Sequence, residues 1–128
     1  MKISKSLKLF LGELQAECLE ILWNLGKGTV KDVLEVFKKR NKNYAYTTIL
    51  TEMQNLEKKG LLRAERIGKQ NLYIPLIKKE EFLNKKLDEL LSPLLEEYPE
   101  LVAMNFIKKT KLSEKEKKKI LEILSREE

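Results

Sequence analysis

Histidine is absent from the 128 residues and cysteine occurs once, at Cys18. Without histidine the commonest general base is missing, and with one thiol nearly every soft-metal cluster is missing too, which excludes His-dependent hydrolases and zinc enzymes. Cys18 has no second thiol in the chain with which to form a disulfide. Five Gly and three Pro leave little room for long loops. No apolar run resembles a signal peptide or reaches the ~18 residues of a membrane span, so a cytoplasmic protein without membrane insertion is expected. Neither a metal nor a cofactor is expected.

Hydrophobic residues make up 42% and charged residues 36%, enough for a core and for solubility. The net charge is +6, and its distribution is uneven. Residues 1–77 hold 14 Lys plus Arg against 8 Asp plus Glu, whereas residues 78–128 hold 12 against 12. A basic front beside a neutral rear points to a polyanion met by the front alone, nucleic acid or an anionic membrane. A merely solvated basic surface gives the same count, so the order of elements has to decide.

Apolar residues recur at helical spacing from about residue 12 to 25, through Leu14, Cys18, Ile21, Leu22 and Leu25. Cys18 lies on that stripe and reads as a small core hydrophobe, with no cation in view to stabilise a thiolate. Leu19 and Trp23 form a second apolar edge. Gly26 and Gly28 end this helix, and Thr29 with Asp32 makes a capping box for the next, whose stripe is Val30, Val33, Leu34 and Phe37. Lys38, Lys39 and Arg40 put positive charge at its C-terminal end, where the helix dipole favours it. After a turn at residues 41–43, Tyr46, Ile49, Leu50, Met53 and Leu56 mark a third helix ending at Gly60.

At ~100° per residue, Thr47, Thr48, Thr51, Asn55 and Lys58 face away from that third stripe, with Gln54 at its edge. An ordinary solvated face carries Glu and Lys four apart, whereas hydroxyls and amides bond base edges and phosphates. Threonines also lower helix propensity, so helix stability does not explain the choice. Two runs rich in Leu, Ile and Tyr follow, 61–67 and 72–77, split by Gly68, Lys69, Gln70 and Asn71. They predict a β-hairpin with a polar tip, with Arg63, Arg66 and Lys69 on or near it. Three short helices and a basic hairpin are the layout of a winged helix-turn-helix. The fold expected is mainly α with a small hairpin wing.

The remaining residues predict helices of another kind. Leu83, Leu87, Leu90, Leu91 and Leu94 form a heptad-like stripe, and Ser92-Pro93 predicts a kink or restart within it. Pro99 marks a start leading into Leu101, Val102 and Phe106, and Ser113 with Glu116 caps a last helix carrying Ile120, Leu121 and Leu124. Narrow stripes over ~50 residues are usually too little for an isolated core, which favours dimerisation.

The segments LGELQAECLEILWNLGKGTVKDV at 11–33, YAYTTILTEMQNLEKKGLL at 44–62 and LYIPLI at 72–77, with a weaker match in NFIKKTKLS at 105–113, resemble the penicillinase and methicillin-resistance repressors, winged-helix regulators of bacterial β-lactamase genes. The resemblance implies an N-terminal DNA-binding domain over 1–77 and a helical dimerisation domain over 78–128. It also implies a homodimer on a double-stranded DNA operator, with Thr47, Thr48, Thr51 and Asn55 where the recognition helix meets DNA. The copper-responsive branch carries Cys-x-Cys ligands near its C-terminus, and no cysteine follows Cys18 here, so thiolate copper sensing is not expected. In the penicillinase branch a membrane-anchored sensor protease system causes cleavage between an Asn and a Phe of the dimerisation domain. Asn105-Phe106 stands at the matching place, while Phe106 equally suits a core position.

On this reading Lys and Arg neutralise phosphates, and the third helix supplies specificity in the major groove. Gln54 and Asn55 pair with adenine and threonine methyl groups touch thymine. Arg63, Arg66, Lys69 and Gln70 of the wing hold backbone or enter the minor groove. Leu87, Leu90, Leu91, Leu94, Val102, Phe106, Ile120, Leu121 and Leu124 would hold the dimer. A protein-docking winged helix is the alternative, although it has no need of Lys58, Arg63, Arg66 and Lys69. Membrane binding would need a broad exposed apolar face. An enzyme is least expected, because Glu65 and Asp32 read as surface and cap residues.

Overall fold

The computed structural model describes residues 5–127, without the side chains of 120, 121 and 123–127. A 3-10 turn at Lys5–Leu9 leads into α1 (Glu13–Leu25), α2 (Val30–Lys39), α3 (Tyr46–Lys58), strands β1 (Leu62–Ile67) and β2 (Gln70–Pro75), and then α4 (Lys79–Glu97), α5 (Pro99–Lys109) and α6 (Glu114–Glu127). The chain divides into two compact units, up to Leu87 and from Asp88 onward.

Local chemistry sets most boundaries. At the start of α2 the Thr29 N–H donates to Asp32 Oδ2 (2.9 Å) and the Asp32 N–H donates to Thr29 Oγ1 (3.2 Å), so two otherwise orphaned donors are satisfied. At its end Asn41 takes φ 60°, and the N–H groups of Asn41 and Lys42 donate back to Lys38 O (3.0 Å) and Phe37 O (2.9 Å). This is a Schellman closure, with Asn where Gly is commoner. α3 ends the same way, Leu61 N–H donating to Leu56 O (3.0 Å) and Gly60 N–H to Glu57 O (2.9 Å).

The hairpin pairs Leu62 with Pro75 through to Ile67 with Gln70, antiparallel. Its turn is tighter than the sequence suggests. Gly68 at φ 60° permits a two-residue connection through Gly68 and Lys69, so Gln70 and Asn71 pair within β2 instead of forming the tip. Gly28 joins the hairpin by a single bridge, its N–H donating to Tyr73 O (3.0 Å) and the Tyr73 N–H to its carbonyl (2.8 Å). A Cβ there would lie 3.3 Å from Leu22 Cδ2, so a larger residue would require that side chain to shift by a few tenths of an ångström.

The core of the first unit gathers Leu19, Ile21 and Leu22 of α1, Val33 and Phe37 of α2, Ile49, Met53 and Leu56 of α3, and Tyr73 of β2, all buried. Each such side chain contributes about 1.5–3 kcal/mol relative to exposure. Cys18 is buried among them. Leu25, placed by periodicity on the α1 stripe, is exposed, because the chain turns away at Gly26 one residue later. Tyr46, placed on the α3 stripe, is also exposed, at the first residue of that helix.

Phe82, from the first turns of α4, is buried in this unit, edge-on to Phe10 (6.4 Å between ring centroids) and tilted against Trp23 (6.0 Å). The Trp23 Nε1–H donates to Ile77 O (2.9 Å), and Lys79 pairs with Glu20, a buried carboxylate of α1. These contacts carry the first unit past the end of the wing into α4.

The second unit is made of exposed helices. Leu90, Leu94, Leu95, Tyr98, Leu101, Met104, Phe106 and Ile107 are all exposed, and no described side chain from Asp88 onward is buried. Ser92-Pro93 does not restart the helix: α4 runs through with Pro93 inside it. Proline removes one backbone donor, and at this exposed position water can satisfy what the missing N–H leaves. Pro99 does open α5, at N1. Ser113 and Glu116 form the expected capping box of α6, with reciprocal bonds of 3.1 Å. The Glu116 carboxyl is held below its usual pKa, chiefly by the Ser113 N–H that donates to it and secondly by a side-chain hydrogen bond with Ser113.

Candidate nucleic-acid interface

α3 is fixed from behind, so its outer face is presented on a rigid support. Ile49, Met53 and Leu56 are buried, Lys59 Nζ donates to Gln15 Oε1 of α1 (2.7 Å), and Lys42 pairs with the buried Glu17 of α1 (3.3 Å) just before α3 begins. On the outer face Thr47, Thr51, Gln54 and Lys58 fall in one line at i, i+4, i+7 and i+11, and all four are exposed. Thr48 is exposed beside them and Asn55 is half-buried. Gln54, placed at the edge by the sequence, stands within this line.

The line contains no acid. The Thr51 hydroxyl donates to Thr47 O (2.8 Å), which commits its one proton and leaves its methyl group and oxygen lone pairs outward. Gln54 keeps both donor and acceptor at its amide, the pattern that matches an adenine edge. Ala45, the N-cap, supplies no side-chain hydrogen bond, so the first N–H groups of α3 remain open to an anion, with the positive end of the helix dipole behind them.

The wing follows α3 directly. Arg63 on β1 stands 3.6 Å from Glu65, which offsets part of its charge. Arg66 Nε donates to Gly68 O (2.9 Å), holding the guanidinium over the turn. Lys69 is exposed at the tip, and Gln70 is half-buried as the first residue of β2. Sequence reasoning missed Ile67, a half-exposed apolar side chain at the tip. Its only signal was position, the last residue before Gly68.

Cys18 stands apart from this face. Burial, with the Glu52 and Glu17 carboxylates behind it, pushes its thiol up to about 12, which leaves it neutral and unreactive near neutrality. In the second unit Asn105 lies inside α5, its Nδ2 donating to Leu101 O (2.9 Å), and Phe106 beside it is exposed. Leu87, Leu90 and Leu94 are exposed, and Leu91 and Val102 half-buried. Ile120, Leu121 and Leu124 lie outside the described side chains. Among the described residues no helix is long and apolar enough to cross a membrane.

No curated protein matches the chain. The hsRosR-S4 complex shares 17% identity at a TM-score of 0.52, over 79% of this chain and 94% of that one, which shows the fold. BpsR of Bordetella bronchiseptica, a structure on regulation of DNA binding by 6-hydroxynicotinic acid, shares 18% identity at a TM-score of 0.47, over 97% of this chain and 82% of that one. The antimony-specific transcriptional repressor AntR shares 21% at 0.45, over 76% and 86%. The family profile described as penicillinase repressor matches residues 11–126, through the three helices, the wing and the second unit. The chain therefore belongs to the penicillinase repressor family, a DNA-binding transcriptional repressor with a winged helix.

Proposed function

We propose that the protein represses transcription as a homodimer on a pseudo-palindromic operator, with α3 of each copy in the major groove. The observation that carries this reading is the acid-free exposed line Thr47, Thr51, Gln54 and Lys58 on a helix anchored from behind. Gln54, with Asn55 and Thr48 beside it, reads bases, while Arg63, Arg66, Lys69 and Gln70 of the wing hold the backbone. Two copies related by a two-fold axis engage half-sites roughly 10 bp apart, one helical turn.

The C-terminal segment, residues 78–128, supplies the dimer, although its start, up to Leu87, belongs to the compact first unit. Its exposed Leu87, Leu90, Leu94 and Phe106, with half-buried Leu91 and Val102, are apolar surface for a second copy. Repression is relieved by cleavage between Asn105 and Phe106 through a membrane-linked sensor protease system. That bond lies within α5, so a protease needs the helix opened locally before an extended strand can enter its cleft.

Selection of duplexes from a random pool tests the reading. Enrichment of a pseudo-palindrome bound by two chains, with affinity falling steeply as salt rises, is the expected result. Equal affinity for selected and random duplex at every salt concentration would leave a docking module instead.

A further inference from the structure

The even charge balance of residues 78–128 is an average over unlike stretches. Residues 108–119, from the end of α5 into the start of α6, hold seven of its twelve Lys plus Arg and only two of its twelve acids. Both acids are already engaged, Glu116 in the cap with Ser113 and Glu114 with Lys117 (3.4 Å). Among the described residues Lys108, Lys109, Lys111, Lys115, Lys118 and Lys119 stand in no ion pair, and all six are exposed.

Helix stability accounts for Lys108 and Lys109, which lie in the last turn of α5 where the dipole favours cations. It does not account for Lys115, Lys118 and Lys119. They fall within the first six residues of α6, at the positive end of its dipole, and their i, i+3, i+4 spacing sets like charges side by side. A merely solvated face intersperses the two signs. The connection between the helices spans at most ~18 Å of backbone, a length over which a duplex presents about ten phosphates. We propose that the lysines of residues 108–119 form a second phosphate-binding patch, which holds duplex DNA without reading its sequence. A duplex held by the first unit stands at high effective concentration for a patch on the same chain. An anionic membrane fits less well, because a basic helix holds a bilayer only with an apolar face free beside its charge, and residues 108–119 offer Leu112 alone, half-buried. The patch rests on the DNA binding of the family and not on the operator, dimer or cleavage proposed above.

Acetylation of the lysines of the full-length chain, read residue by residue by mass spectrometry, tests it with random-sequence duplex and with phosphatidylserine vesicles in separate arms. Duplex should slow acetylation of Lys115, Lys118 and Lys119 at low salt, and high salt should restore it. In fluorescence anisotropy on the same duplex, the triple variant Lys115→Gln, Lys118→Gln, Lys119→Gln should bind roughly tenfold or more weakly, with a salt slope lower by about two to three units per bound chain. The corresponding triple Arg variant keeps the charge and should match the wild type. Circular dichroism and ultracentrifugation establish that each variant keeps its helices and its state of association. Protection of Lys58 and Lys69 with none at Lys115, Lys118 and Lys119 overturns the patch and leaves the α3 and wing interface standing, whereas no protection at any of the five removes both. Protection by vesicles in place of duplex overturns it too, as does a Gln variant with the salt slope of the wild type.

Discussion

The two units use the same helical pattern and reach opposite outcomes. Up to Leu87, α2, α3, the hairpin and the first turns of α4 surround α1 so completely that even Glu17 and Glu20 are buried, each with a lysine partner. From Asp88 onward the stripes are as apolar, yet Leu90, Leu94, Leu101 and Phe106 face solvent. An amphipathic stripe identifies a face that needs covering, and the number of faces a single chain brings together decides whether it is covered. At about 25 cal/mol for each Å² of apolar surface, the uncovered stripe favours a second copy, as proposed above.

Equal deletions in the two units measure that difference most directly. Phe37→Ala removes a fully buried ring that packs edge-on against Tyr44 (4.9 Å), and it should cost about 3–5 kcal/mol in urea unfolding. Phe106→Ala should cost nothing comparable at protein concentrations low enough to separate chains, and more as concentration rises. A loss for Phe106→Ala that does not vary with concentration would mean that this residue is covered within its own chain.

Charge on the stripe sharpens the same contrast. Leu94→Asp with Phe106→Asp should leave unfolding of the first unit unchanged while abolishing self-association in ultracentrifugation. Operator affinity should then fall roughly 10²-fold, because the second contact is no longer intramolecular. Chains that still sediment as dimers would move the interface to the first unit.

Within the first unit, the contrast lies between α3 and the wing. Gln54→Ala or Asn55→Ala should cost ~1–3 kcal/mol on the operator and little on random duplex. Lys69→Ala should weaken both about equally and flatten the salt slope by roughly one unit, measured by fluorescence anisotropy at several salt concentrations. Arg66→Ala removes a guanidinium already bonded to the turn at Gly68, so a larger loss than for Lys69→Ala would show that the bond orders the tip.

What could be read in the sequence was whatever depends on residues close along the chain. Both capping boxes, the helical stripes of α1 to α3, the hairpin and the Pro99 start are local patterns with fixed spacing. The hydroxyl and amide face of α3 was legible for the same reason, since helical geometry alone sorts inside from outside. Pairings across the chain were not. Nothing near Glu20 announces Lys79, 59 positions away, and nothing near Trp23 announces the carbonyl of Ile77 or the ring of Phe82. The Thr51 hydroxyl bond and the tight Gly68 turn are choices between local alternatives, and Pro93 is a case where solvent exposure relaxed a rule that holds inside a packed helix.

The smallest effect belongs to the residue that both sequence and packing place in the core. The Cys18 thiol titrates near its ordinary 9.0 when unfolded and is pushed up to about 12 in the fold, by burial first and then by Glu52 and Glu17. Between those values the unfolded chain loses a proton that the folded chain keeps, so stability falls as pH rises through 9, by about 1.4 kcal/mol per unit. Cys18→Ala lacks this dependence and has only the fixed cost of a small cavity. The advantage of wild type over Cys18→Ala in urea unfolding should therefore shrink by about 1 kcal/mol between pH 8 and pH 10, other titrations being common to both proteins. An advantage that stays constant over that interval would show that the folded thiol ionises as readily as the unfolded one, and that the core around α1 admits more water than its packing implies.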